Sequence, residues 1–287
     1  MTTDVTVSPE DLLLRPKKPE VQTEHFPFFV LDDFVGPELY ARLVEEFPRP
    51  DEMRAKIENG KRLVNNRQLD DDGSKDAFFA DKPTWKAVID ILGSELFVGD
   101  LEALLRPHLV RHRLLGAFRK WRLDGVKVPL IDRSVQLTYE WSCMVPGEYL
   151  NPHTDKVAKM ATFVWHFPEP GWKDEFDGST LFMTAKRARH NINWANFKLP
   201  FEELDVVLKS EARANRLVMF AKTGNSWHAV PPIECDPGVN RRVFIFNYRY
   251  PVEVANSFST RAIESFHRRS QGWLFKDFPE VNRKPGM

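Results

Sequence analysis

The chain lacks most features that would assign it at a glance. Of its 287 residues only two are cysteines, Cys143 and Cys235, too few for a disulfide framework. It has no charge of one sign to spare, because 41 Lys and Arg cancel 41 Asp and Glu. Nucleic-acid binders draw most of their affinity from phosphates and show a basic excess, so no nucleic-acid partner is expected. No run of about 18 apolar residues occurs, so no membrane span is expected. The opening MTTDVTVSPEDLLLRPKKPE has no basic start followed by an apolar stretch and does not read as a signal peptide. Repeats and low-complexity tracts are also missing. The expectation is a reduced, cytoplasmic globular protein with one large domain.

Aromatic residues are well supplied, with 22 Phe and 8 Trp. They suit a β-rich core or a ring-walled pocket. Residues 1–24 are polar and carry prolines, which suggests a flexible N-terminal arm before a single domain over 25–287. HFPFFVLDDF reads as a short strand, and Gly36-Pro37 opens a helix with Leu39, Leu43, Val44 and Phe47 at helical spacing. Residues 51–82 are charged and without pattern. Helical periodicity returns over 83–122, so helical support is expected over about 37–122. Near residue 133 the period falls to two. RSVQLTYEWSCMV, MATFVWHF, STLFM, NRLVMF and RRVFIFNYRY are short β-branched and aromatic runs separated by turn residues. They predict a β core over about 133–250, of sandwich or barrel type. A C-terminal helix is expected over about 251–272. The fold class is therefore α+β, mainly β.

One constellation carries chemistry. GEYLNPHTDKVAKM contains His153-Thr-Asp155 between a Pro-Gly turn and a strand. With eight histidines among 287 residues a single His-x-Asp is a chance-level find, but its context adds weight. In an extended segment residues i and i+2 face the same side, so both side chains can meet one ion. His228, in TGNSWHAVPPI, opens another short strand. Two imidazoles and one carboxylate form the facial triad of non-haem iron(II) sites, which leaves coordination positions open. The bland alternative is a loop histidine and a satisfied core histidine. Further on, NRRVFIFNY places Arg241 and Arg242 at the head of an apolar strand. A guanidinium turned into a barrel is costly unless it meets an anion, and its fork matches a carboxylate.

HTD, the distant NSWHAV and the following Arg together resemble the iron(II)- and 2-oxoglutarate-dependent oxygenase superfamily, more narrowly its prolyl-4-hydroxylase-like branch. HFPFFVLDDFVGPELYARLVEEFP resembles the entry strand and helix of that branch, and Asp177-Gly178-Ser179-Thr180-Leu181 resembles its Gly-Gly-x-Leu turn, with Ser179 in place of the second Gly. MATFVWHFPEP resembles the strand after the first two ligands, with His166 where a Tyr is frequent. The resemblance spans roughly residues 25–250. It implies a double-stranded β-helix (jelly roll, cupin-like) core with helices packed on it. It implies iron(II) held by His153, Asp155 and His228, with O2 as oxidant. It also implies 2-oxoglutarate bound by Arg242, preferred to Arg241 because it directly precedes the apolar Val243. Gln136 and Tyr139, on the strand entering the site, and Trp165 are candidate pocket residues.

The expected activity is hydroxylation of an unactivated C–H of a small-molecule or saccharide-type metabolite, with release of succinate and CO2. A protein prolyl-type hydroxylase is the alternative. A non-catalytic jelly-roll binding protein fits less well because all four key positions are present. A zinc hydrolase would also use two His and a carboxylate, but the Arg after the distal His argues against it. Residues 186–214 form a long connection of the kind used as a lid or binding loop; the alternative is a structural insertion with a short helix at FEELDVVL.

Overall fold

A computed structural model of the protein describes residues 6–55, 61–109, 135–156, 158–173, 175–249 and 258–282. The predicted change of period separates two kinds of structure. Before it come α1 (Pro9–Leu12), β1 (Phe28–Leu31), α2 (Pro37–Glu45), β2 (Arg54–Ala55), β3 (Arg62–Asn65), α3 (Asn66–Asp71), α4 (Lys75–Ala80), α5 (Pro83–Leu92) and α6 (Glu95–Leu109). After it come β4 (Gln136–Met144), β5 (Leu150–His153), β6 (Lys159–His166), β7 (Thr180–Ala185), β8 (Leu204–Ser210), β9 (Leu217–Ala221), β10 (Trp227–Val230) and β11 (Arg241–Arg249). The chain continues through α7 (Phe258–Gly272) and α8 (Pro279–Asn282). The predicted helical stretch 110–122 and the start of the C-terminal helix before residue 258 lie outside the described residues.

The strands form two antiparallel sheets. The larger has the order β1-β9-β6-β11-β4-β3-β2, and the smaller β5-β10-β7-β8. They face each other as a double-stranded β-helix. Phe28, Val164, Val218, Phe220 and Val243 of the large sheet pack with Phe182 of the small one. The opposite face of the large sheet is covered by helices. Trp85 of α5 lies against Trp141, Trp165, Phe244 and Phe167, and its Nε1 donates to Leu43 O at 3.0 Å. Because β6, β9 and β11 are covered on both faces, they read as continuous apolar runs and not as alternating ones.

The helices start where their sequences say they should. Pro37 and Pro83 stand at first-turn positions of α2 and α5. Glu46, just past α2, accepts from Thr84 N at 2.9 Å and Thr84 Oγ1 at 2.6 Å, which ties the two helices together. A carboxylate there also meets the positive end of α5.

Three expectations need correction. Residues 6–24 are not a loose arm. Leu12 and Leu14 are fully buried in the helical core, and Asp100 accepts from Leu14 N at 2.7 Å and Arg15 Nε at 2.7 Å. Residues 61–82 are structured: β3 extends the large sheet along β4, and Asn65 caps α3 through a reciprocal pair with Gln68. FEELDVVL is a helical turn over Phe201–Glu203 followed by strand β8, because β-branched Val206 and Val207 complete the open edge of β7.

Candidate metal centre

His153 ends β5 and His228 lies in β10, and the two are register partners. Their rings are 4.2 Å apart between centroids. Asp155 follows in a left-handed backbone conformation (φ 65°), which aspartate tolerates better than most residues and which turns its carboxylate back to the histidines. His153 Nε2 lies 3.7 Å from Asp155 Oδ1, and His228 Nε2 lies 3.8 Å from Asp155 Oδ2. One donor atom from each residue falls within 4.8 Å of the others, a spacing that can hold a metal ion.

The surroundings prepare these atoms. His153 Nδ1 donates to Asn151 O at 2.9 Å, and His228 Nδ1 donates to Ser226 O at 3.0 Å. A carbonyl can only accept, so both Nε2 lone pairs are left facing the centre. Burial, and next the neighbouring His228, push the His153 imidazole down to about 3; His228 is also pushed down, by burial first. Both are therefore neutral, the form that binds metal. Burial would raise Asp155, but Lys159 and the two histidines outweigh it and hold the carboxyl well below the usual range. Lys159 Nζ donates to Asp155 Oδ1 at 2.8 Å, and the Thr162 hydroxyl lies 3.0 Å from Oδ2 and 2.9 Å from Asn247 Oδ1.

The register of β11 decides the arginines. Val243 faces the interior between the sheets, so Arg241 does too, and Arg242 faces the helices. Arg241 is 2 % exposed; its Nε donates to Gly178 O at 2.5 Å and its guanidinium reaches Thr180 Oγ1 at 3.3 Å. Thr180 lies two residues along β7 from Phe182, the register partner of His228. That is a step of about 7 Å. Burial alone lowers the Arg241 guanidinium to about 10; no acid offsets it. His166 faces the same interior from β6, opposite Val243, and neither of its ring nitrogens has a partner. Arg242 instead donates to Phe167 O at 3.1 Å and lies 4.8 Å over the Phe47 ring. The preference for Arg242 as the inward-facing cation is thus corrected.

Of the other pocket candidates, Gln136 falls on the inner face of β4. Tyr139 and Trp165 do not line that interior. Both belong to the helix-side core, and Trp165 Nε1 donates to Asn215 Oδ1 at 3.3 Å. Sequence reasoning missed Thr162, Lys159 and Asn247; inward parity on β6 and β11 is the only signal for Thr162 and Asn247, and Lys159, of the opposite parity, is brought in by the bulge at the start of β6. The long connection is a bracket, not a free loop. Asn193 O accepts from Thr154 Oγ1 at 2.8 Å, and Trp194 N donates to Gln271 Oε1 of α7 at 3.0 Å. Its basic residues are matched: Arg187 by Glu203, Arg189 by Asp277 and Lys186 by Asp205.

Two imidazoles and a carboxylate inside a jelly roll, with a buried arginine in the same interior, form a candidate mononuclear metal centre of cupin-like type. Residues 139–249 match the family model described as the 2OG-Fe(II) oxygenase superfamily. Over those residues the chain is similar to a superfamily of iron(II)- and 2-oxoglutarate-dependent dioxygenases, which use iron(II), 2-oxoglutarate and O2. Similar solved structures include a Pseudomonas putida prolyl-4-hydroxylase, 17% identical, with TM-score 0.41, covering 79% of this chain and 94% of that one. A Trichoplax adhaerens prolyl hydroxylase, in complex with a hypoxia inducible factor oxygen degradation domain peptide fragment, is 11% identical, with TM-score 0.45 and 79% and 84% coverage. HygX from Streptomyces hygroscopicus, with nickel and 2-oxoglutarate bound, is 13% identical, with TM-score 0.42 and 80% and 84% coverage. No curated protein matches the chain. Among the described residues no helix is long and apolar enough to cross a membrane.

Proposed function

We propose that the protein hydroxylates an unactivated C–H of a small molecule, with His153, Asp155 and His228 holding iron(II) and Arg241 holding the distal carboxylate of 2-oxoglutarate. The observation that carries this reading is the convergence of three donor atoms within 4.8 Å in the same barrel as a buried arginine that has no acid. When bound, iron(II) would let O2 act as the oxidant, with 2-oxoglutarate giving two electrons as it becomes succinate and CO2, one oxygen atom going to succinate and the other to the C–H. The chain's own residues bind and orient. Asn151 O and Ser226 O fix the imidazoles, and Thr162 and Lys159 fix Asp155. Arg241 and Thr180 form the deep end, with His166 offering an imidazole beside them. Such fixed groups position the cosubstrate and exclude water. Support for a small substrate comes from the bracket over residues 188–199, which closes one side of the strand that carries His153: Leu199 N donates to Pro152 O at 3.2 Å and Lys198 N to Asn282 Oδ1 of α8 at 2.8 Å.

The test is anaerobic loading with iron(II) and 2-oxoglutarate, then exposure to air and measurement of succinate. Iron(II) binding with succinate formation is expected. Metal binding with no 2-oxoglutarate turnover under any substrate set would sink the reading, and so would full activity in Asp155→Ala.

A further inference from the structure

The deep arginine has a counterpart at the other end of β11. Arg249 is the register partner of Gln136 on β4 and of Lys159 on β6. Tyr248 and Leu137 point to the helices, so Arg249 and Gln136 face inwards. One step back on the same face is Asn247, which leads through the Thr162 hydroxyl to Asp155. Lys159 touches Asp155 directly. The three side chains therefore stand beside the candidate ligand set, on the side away from Arg241.

Two of the three carry an unpartnered polar atom there. Arg249 Nε is shielded from solvent and has no hydrogen-bond partner, and the same holds for Gln136 Oε1. Among the described residues no carboxylate is paired with Arg249. Across a bulge that skips Met160, two cations are paired between β11 and β6, an arrangement that costs stability unless an anion lies near them. Among the described residues the acid paired with Lys159 is Asp155, and a divalent ion on the other carboxylate oxygen would draw on the same negative charge and leave Lys159 less fully neutralised. Structural roles elsewhere look different: the basic residues of 186–189 each have an acid.

We propose that Arg249, with Lys159 and Gln136 beside it, binds the anionic group of a small substrate at the mouth of the metal centre. The anion is a carboxylate or a phosphate. The orphaned Gln136 oxygen accepts from an O–H or N–H donor of the same molecule, one or two bonds from the charge. The substrate class is thus a small hydroxylated or aminated anion, its charge gripped while a neighbouring C–H is presented to the metal. This inference rests on the assignment of the ion to His153, Asp155 and His228.

The experiment uses the full chain loaded with manganese(II), which supports binding without turnover, and with 2-oxoglutarate. Calorimetric titration compares three probes on one skeleton: glycerate, glycerol 3-phosphate and neutral glycerol. One charged probe is expected to bind with millimolar or better affinity, and glycerol is not. Which of the two binds tells carboxylate from phosphate. Arg249→Met should weaken that probe by about 30-fold or more, as loss of a buried charged hydrogen bond does, and Arg249→Lys should weaken it less. Manganese(II) and 2-oxoglutarate affinities of Arg249→Met should match the parent, which also shows that the variant is folded. The proposal is overturned if neither charged probe binds, if glycerol binds equally, or if Arg249→Met leaves the charged probe unaffected. Loss of 2-oxoglutarate binding in Arg249→Met but not in Arg241→Met would overturn it in another way, by exchanging the two arginines. Failure of manganese(II) to bind the parent chain would instead strike the metal assignment itself.

Discussion

Arg241 and Arg242 are adjacent in sequence and face opposite ways. Arg241 is buried between the two sheets with Gly178 O and Thr180 Oγ1 as partners; Arg242 lies on the outer face, over Phe47 and beside the Phe167 carbonyl. The strand's two-residue period makes the split unavoidable, and the burial of Val243 beside Phe182 fixes which parity is inward. A single strand thus presents cations on its inner face near both ends, at Arg241 and Arg249, with the metal ligands between them.

The first prediction follows from that split. Arg241→Met should weaken 2-oxoglutarate by about 30-fold or more, since the lost partner is a buried charge. Arg242→Met should leave the affinity within a factor of about 3, because that side chain contacts the outer core. Titration of 2-oxoglutarate into manganese(II)-loaded protein reads both. Equal losses in the two variants would refute the assignment.

Asp155 is oriented by a hydroxyl as well as by Lys159. Thr162→Val removes that hydroxyl at nearly constant volume and leaves Asn247 Oδ1 without its partner. Metal affinity should fall by about 10–100-fold, the usual effect of losing a group that orients a ligand. Iron(II) binding measured anaerobically decides it, with far-ultraviolet circular dichroism expected to be unchanged.

Much of this was legible in the sequence where period and punctuation agree. The strand-rich region after residue 133, the Pro-started helices and the His153, Asp155 and His228 set all follow from local pattern. What was not legible depends on pairing. The parity of Arg241 needs the register with β4 and β6, because two arginines stand side by side and the apolar residue after Arg242 favours the wrong one. Trp165 and Tyr139 are assigned to the outer core only once Trp85 is seen against that face. FEELDVVL has helix-like spacing, but the free edge of β7 outweighs a weak local preference. The Asn65–Gln68 pair that caps α3 lies in a charged stretch with no apolar period, which is why the helix was not read there.

The packed N-terminal segment yields a stability prediction. Leu14 is fully buried and its backbone N–H is held by Asp100. Leu14→Ala should cost about 2–5 kcal/mol, as large-to-small changes in a packed core do. A loose arm would show almost no change. Urea unfolding of the parent and variant separates the two outcomes.

The last prediction concerns acid. Burial pushes His166 well below its ordinary value of 6.5, with Arg241 and then Arg216 adding to the effect. In the unfolded chain the same imidazole titrates near 6.5. The folded state therefore binds fewer protons than the unfolded one once pH drops below about 6.5, and stability must fall with it. Above that pH the contribution is complete; below it, one proton's worth is lost, about 1.4 kcal/mol per pH unit, until the folded imidazole itself titrates. His153 and His228 act in the same direction in metal-free protein, so the parent should be steeper than a single site allows. His166→Leu removes one site and keeps the others. The difference between its slope and the parent's, taken from urea unfolding between pH 7.5 and 5.5, should approach about 1.4 kcal/mol per unit at the acid end. Identical slopes would mean that His166 takes up its proton at the same pH in the folded and unfolded chains, which would refute its burial as a neutral imidazole beside Arg241.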